Sequence, residues 1–345
     1  MRRLSAEATV IAAELGDLRG LALAAAARRR AYWGPGHLER RLADSTQLLR
    51  TAREAGDLEL TLQGHAWLVV DLLEAGDRSA VDAQIEAFTA GASDLREPLF
   101  EWQITVWQAM RALLTGRLEG AERLATEALS FGVRSEGVTA PQYYAIQIIA
   151  IRREQLRIGE LESSARGLGE ANPGRLAWRA GLAMLLAETG RAREARAELD
   201  RLAVDGFADI PRDGDWLMTV TLLAETAVAL QDAERARRLY ELLLPQRGAT
   251  VVVGLGAVCM GSTARYLGRL ALTMDDRDSA RAHLELAERS NEALRAPAEL
   301  AHTRLDYAQV VKLRSDARKL VAAAASVAAE LGLPSVARRA HESAV

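Results

Sequence analysis

"LLEAGDRSAV" (residues 72–81), "LLTGRLEGA" (113–121) and "LAETGRAREA" (186–195) share one pattern: an apolar run, then a glycine, then a small or aliphatic residue five places after that glycine. A glycine behind an apolar run ends a helix, and the small residue marks where the following helix packs back on it. Weaker copies put a turn at Leu156, Gln231, Asp275 and Ser315, with Leu161, Ala236, Ala280 and Leu320 five places on, and "WGPGH" opens the series at Gly36. Successive turns are therefore 40, 40, 40, 34, 41, 44 and 40 residues apart. A second series interleaves at Gly16, Gly56, near Ala92, Gly132, Asn172 with Pro173, Asp213 with Gly214, near Gly248, Asn291, and Gly332 with Pro334.

Between the two series run segments with apolar residues three and four apart, the period of amphipathic helices. A helix pair of this size cannot bury its own apolar face, so the pairs must stack on one another. The spacing predicts an all-α chain, residues 1–345 as a single domain, forming a TPR-like α-α superhelix (a right-handed solenoid) of about eight helix pairs.

Composition agrees. The chain has 345 residues, 49% hydrophobic but only 5% aromatic, which favours helices over sheet. A net charge of -3 gives no global attraction to nucleic acid. Arg28, Arg29, Arg30, Arg40 and Arg41 form a local basic cluster, expected to be a solvated helix face. Cys259 is the single cysteine, so an intrachain disulfide and a cysteine zinc site are excluded and a reducing cytoplasm is expected. Glu7, Glu14 and Asp17 interrupt the first apolar run, which reads as neither a signal peptide nor a membrane span. Basic residues are almost all Arg, with Lys312 and Lys319 the only lysines, a bias expected of a GC-rich bacterial genome.

The pattern LLxxGRxxxAxxxLxxA resembles tetratricopeptide repeats (TPR). The longer period, with "DLLEAGDRSAVDAQIEAF", "AMRALLTGRLEGAERLATEAL", "VVVGLGAVCMGSTARYLGRLA" and "SNEALRAPAELAHTRLDYAQVV", is similar to the C-terminal arrays of LuxR-type and MalT-like ATP-binding regulators and related cyclase-ATPase proteins. The resemblance covers nearly the whole chain. It lacks the helix-turn-helix and nucleotide-binding modules of the full regulators, and so implies a sensor or scaffold part.

"VVVGLGAVCMGSTARYLGRLALTMDD" (251–276) imitates a phosphate-binding loop, since Gly256 and Gly261 have the right spacing and Ser262 and Thr263 follow. Ser262, however, stands where the loop needs its lysine, and Cys259 where a dinucleotide fingerprint needs glycine. Residues 254–274 are expected instead to be the first helix of the seventh pair, with the glycines allowing close helix approach or a frayed first turn, and with Asp276 or Asp278 capping the next helix. Asp213 and Asp215 read as a turn and a helix cap.

His37, His65, His283, His302 and His341 include no pair three to five apart, so no metal site is expected. No serine elbow is present and no cofactor is called for. Eleven of the twelve Trp and Tyr residues, all but Tyr240, fall on the first helices of the pairs, which line the inner side of a TPR-like array. Counting back nine, thirteen and six residues from the turns gives one stripe: Trp67, Gln103, Trp107, Met110, Tyr143, Gln147, Met184, Met218, Tyr266, His302 and Asp306, with Arg30, Leu222, Glu225 and Arg269 nearly on the same face.

The stripe suits an amphipathic peptide, a partner protein segment or a small hydrophobic effector better than nucleic acid or a membrane. The expected function is a non-enzymatic binding or sensor module. The alternative is a metabolite-binding protein or enzyme derived from a regulator tail, with His302, Asp306 and Tyr266 as its polar groups. An open groove would favour a peptide, and a pocket with converging polar groups a small molecule. A homodimer through a terminal pair follows if the segment "PSVARRAHESAV" caps poorly.

Overall fold

In the computed structural model, which describes residues 2–93, 95, 97–135 and 139–344, the chain is all-α apart from one hairpin. The helices are α1 (Arg2–Glu14), α2 (Leu18–Ala31), α3 (Leu38–Glu54), α4 (Leu58–Ala75), α5 (Arg78–Ala92), α6 (Pro98–Leu114), α7 (Leu118–Ser135), α8 (Thr139–Glu154) and α9 (Glu162–Ala171). They continue as α10 (Leu176–Glu188), α11 (Ala192–Leu202), α12 (Trp216–Ala229) and α13 (Ala233–Leu243). The hairpin strands β1 (Thr250–Val253) and β2 (Val258–Ser262) follow, then α14 (Thr263–Thr273), α15 (Arg277–Ala293), α16 (Pro297–Tyr307), α17 (Arg314–Leu331) and α18 (Pro334–Ala344). Most helices pack on their sequence neighbour, and even-numbered ones also meet the next even-numbered one: α10 with α12, α12 with α14, α14 with α16, and α16 with α18.

The turns explain this pairing. Gly76, Gly116 and Gly190 take φ of 79°, 78° and 78°, and Leu156, Gln231 and Asp275 enter the same left-handed region at 58°, 52° and 63°. The non-glycine turns carry a strain of about 1–2 kcal/mol each, held by the packing on either side. Five residues on, Val81, Ala121, Ala195, Ala236 and Ala280 are all 0% exposed, because this is where the second helix presses against the first. Asp57, Asp77, Asp232 and Asp276 cap the following helices through backbone N–H groups.

Three expected turns are displaced. Gly132 lies inside α7, Asn291 inside α15 and Ser315 inside the first turn of α17. The break expected at Asn291 falls at Arg295, φ 53°, because Asn291 is fully buried and its side chain bonds the Ser262 N–H and the Thr303 hydroxyl. The C-terminal segment does pack: Val336 and Ala340 are buried in α18 against α16 and α17, while Val345 lies outside the described residues. At the other end, Leu4, Val10 and Ile11 of α1 and Leu15 just after it stay exposed.

Residues 250–262 form an antiparallel hairpin, so the helix expected over 254–274 begins only at Thr263. Val251, Val252, Val253, Val258 and Cys259 are all buried, so both faces of the hairpin are covered. Alternate residues point to opposite faces. Val251, Val253 and Val258 join Trp216, Leu223 and Tyr266, whereas Val252 and Cys259 join Trp107, Met110 and Leu73. The hairpin is thus a wedge between two sides of the helix array, and a β-branched run buried on both faces is better satisfied as strand than as helix. Gly254 and Gly256, at φ 57° and 81°, make its turn, and Gly261, at φ 73°, sits where β2 carries one extra residue opposite β1.

The basic cluster is likewise different from expectation. Arg29 and Arg41 are 0% and 1% exposed, and Arg28 is also buried. Arg29 donates to Asp71 at 2.6 and 3.1 Å, Arg41 to Asp71 at 2.7 Å and to Glu74 at 2.6 Å, and Ser45 to Asp71 at 2.8 Å. Arg28 pairs with Asp44 at 2.8 Å. The guanidinium of Arg29 also lies 3.6 Å from the centroid of Trp67. The charges are buried because α2, α3 and α4 bring both signs together between them.

Candidate functional site

A cavity of about 710 Å³ lies beside the hairpin. Its walls come from α2, α4, α6, α8, α10, α12, α14 and α16, from β1 and β2, and from the loops before α3, α10 and α12. Every helix that contributes is even-numbered, the first member of its pair. Trp33, Trp67, Tyr143, Trp178 and Tyr266 provide aromatic surface, and Ile146, Met184, Met218, Leu222 and Met260 aliphatic surface. On one side the turn after α2 reaches the loop before α12: Trp33 packs on Gly214, and Gly34 lies so near the Arg212 carbonyl that a side chain there would collide. Arg175 joins three elements at the edge, pairing with Asp215 at 2.8 Å and donating to Gln142 at 2.8 Å.

The stripe residues divide among several tasks. Trp107 donates its indole N–H to the Leu255 carbonyl at 2.8 Å, and the Gln103 amide approaches the same oxygen at 3.4 Å. Tyr143 accepts the Leu255 N–H at 2.8 Å, and Gln147 donates to the carbonyls of Ala257 at 2.9 Å and Val106 at 3.0 Å. Tyr266 donates to the Met260 carbonyl at 2.7 Å. Polar groups in a buried turn must find partners, and these five side chains supply them, so the stripe grips the chain's own hairpin. Trp67, Tyr143, Met184, Met218 and Tyr266 line the cavity, whereas Met110 is core.

His302 and Asp306 lie elsewhere and do not meet Tyr266 as a catalytic group. His302 lines a second, polar cavity of about 540 Å³ with Arg153, Glu154, Arg265, Arg269, Glu299, Ser335, Arg338 and Arg339. Asp306 is bound by Arg265 at 2.7 Å and by Arg339. Desolvation would raise the Asp306 carboxyl, but Arg339 and Arg265 outweigh it and hold the group well below the usual carboxylate range. Glu225 behaves alike: Arg269 and Arg153 overcome its desolvation.

Glu154, His302 and Ser335 look like catalytic partners, but their hydrogen bonds run the wrong way. Arg339 faces Nδ1 of His302 at 3.0 Å, and a guanidinium only donates, so Nδ1 accepts and the proton sits on Nε2. That proton goes to Glu154 at 2.9 Å, and Ser335 donates separately to Glu154 at 2.5 Å. Burial, with Arg265 and Arg339 nearby, lowers the His302 pKa and keeps it neutral. Its Nε2 therefore has no lone pair with which to take the serine proton. Burial also pushes the Cys259 thiol up to about 12, which leaves it protonated and inert. Among the described residues no group of three His, Cys, Asp or Glu side chains is placed to hold a metal ion, and no helix is long and apolar enough to cross a membrane.

The wall between the two cavities is made of Arg153, Glu154 and Glu299, which line both. Glu299 was not among the residues the repeat register selected, although it lies one helical turn before His302 on α16. Desolvation raises its carboxyl to about 7, with Glu154 and Glu225 adding to the rise and Arg265 and Arg153 opposing it. Gln63, Ala177 and Gly181 also line the cavity at register positions, thirteen or nine residues before their turns. Ala177 and Gly181 carry no functional group that a sequence pattern would mark. No protein-family model matches this chain, and no curated protein matches it at a significant level.

Proposed function

We propose that the chain is a TPR-like solenoid acting as a non-enzymatic binding module, and that its occupant is a small amphipathic molecule held in the cavity beside the hairpin. The observation that carries the proposal is the composition of the wall: one cavity of about 710 Å³ touches every even-numbered helix from α2 to α16. That volume is typical of sites for drug-sized molecules. The hairpin takes up the inner-face groups that a bound peptide would have used, which favours a small effector over a peptide. A ligand there contacts all the pairs it lies between, so its binding energy shifts their relative packing, and a partner that senses that packing would read the change. This is the behaviour expected of a sensor part like the tails of LuxR-type and MalT-like regulators.

Native mass spectrometry of protein purified from its own cells, compared with a denatured sample, tests the proposal. A small mass lost on denaturation is expected. Gly181 lies in α10 on the cavity wall, with nothing within 4 Å of where a side chain would begin. Gly181→Leu should therefore fill the space without strain and abolish retention while the fold keeps or gains stability. Undiminished retention in that variant, or a co-purifying polypeptide in place of a small mass, would overturn the assignment.

A further inference from the structure

We propose that Glu299 anchors the protonated amine of the cavity's ligand, so that the effector is a hydrophobic amine and not an acid or a neutral molecule. The inference rests on the small-molecule assignment above and adds the charge type. Most other buried charges of the wall are already taken at short range. Arg153 holds Glu188 at 2.5 Å and also Glu225, and Glu154 accepts from His302 at 2.9 Å and Ser335 at 2.5 Å. Glu299 differs. Its ion-pair partner among the described residues is Arg265, with Nη1 at 3.5 Å, and the Nε of that guanidinium is committed to Asp306 at 2.7 Å. The Glu299 side chain keeps 19% exposure while lining the cavities.

An anion entering the cavity would meet, at its buried wall, guanidinium groups that already have carboxylates. A cation would meet a carboxylate that lacks a close one. Arg30 and Asp213 also line the cavity, but both are exposed, so their charges are weak determinants there. The aromatic and aliphatic wall supplies contact for an apolar body, leaving Glu299 as the fixed point for its charged end.

The sign of the pH dependence follows from the groups facing Glu299. These are Arg265 and Tyr266 on α14, Arg153 and Glu154 on α8, Glu225 on α12, Cys259 on β2 and His302 on its own helix. Burial keeps Tyr266, Cys259 and His302 uncharged near neutrality, so Glu299 is the wall group that titrates there, near 7. An amine binds the ionised carboxylate, and its affinity should fall about tenfold between pH 8 and pH 6. A neutral ligand accepting the carboxylic proton would bind more tightly in the same direction.

Isothermal titration of three matched probes, naphthylethylamine, naphthylethanol and naphthylpropionate, decides the matter. At pH 8 the amine should bind about tenfold or more tightly than either analogue. The advantage should shrink at pH 6 and vanish in Glu299→Gln, which should bind the alcohol as wild type does. Alcohol or acid binding as tightly as the amine, or an amine advantage that survives in Glu299→Gln, would overturn the amine inference and leave the cavity assignment standing. Failure of all three probes to bind would overturn the cavity assignment and the inference with it.

Discussion

The chain buries two clusters of arginines and carboxylates, and they differ in what closes them. Around Asp71 the charges of α2, α3 and α4 pair closely with one another, with Arg29 and Asp71 0% exposed and Arg29 stacked behind Trp67 of the cavity wall without lining the cavity itself. Around Glu299 the charges of α8, α12, α14 and α16 also pair, but one carboxylate is left facing open space. Similar side chains thus serve cohesion in one place and leave a binding group in the other. The difference lies in whether the last partner is supplied by the protein.

The sharpest way to break the comparison is Asp71→Asn. Two buried guanidinium groups would lose their shared anion, and breaking a buried pair costs about 3–5 kcal/mol. Urea unfolding should show that loss, and a change below about 1 kcal/mol would mean that the N-terminal cluster is not sealed as described.

Glu299→Gln should do the opposite. The folded pKa of Glu299, about 7, is above its ordinary 4.5, so the folded state holds this proton more tightly than the unfolded chain. Its contribution is present below pH 4.5 and is lost as pH rises through about 7. Glutamine has no charge to desolvate, and the variant should be more stable than wild type at pH 8 by up to about 3 kcal/mol, with the gain gone near pH 4. Paired thermal melts at the two pH values give the sign. A loss of stability at pH 8 would instead place Glu299 in the same class as Asp71.

A smaller loss is expected from Tyr143→Phe, which removes the acceptor for the Leu255 N–H and should cost about 1–3 kcal/mol in thermal or chemical unfolding. A neutral result would mean that solvent replaces the phenol and that the hairpin turn is less sealed than its partners suggest. The smallest effect belongs to Arg175→Gln. Arg175 is 47% exposed, its pair with Asp215 lies at the cavity edge, and its loss should change stability by less than about 1 kcal/mol.

The helix-pair rhythm was legible because turns are local. A left-handed residue and a close helix contact five positions later are set by neighbouring residues, and even Leu156, Gln231 and Asp275 were found this way. The displaced turn at Asn291 shows the limit, since that side chain is held by Ser262 and Thr303, which no local window couples to it. Likewise, Trp67, Tyr143, Met184, Met218 and Tyr266 were selected by helix periodicity and do face one cavity, while the turn and second strand of the hairpin that five stripe side chains hold were read as the start of a helix. Its valines carry an ambiguous signal, and only the presence of Trp216 on one face and Trp107 on the other makes strand the better state.

By itself, the sequence determined the all-helical class and most of the turns that separate the helices, because these follow from residues within a few positions of one another. Tertiary structure alone decided that five arginines read as a surface patch would include three buried ones, that the hairpin would wedge into the array, and that Glu299 would be left without a close partner. Those outcomes depend on the dielectric and the countercharges at a point, which are fixed by residues as far apart in the chain as Glu154 and Ser335.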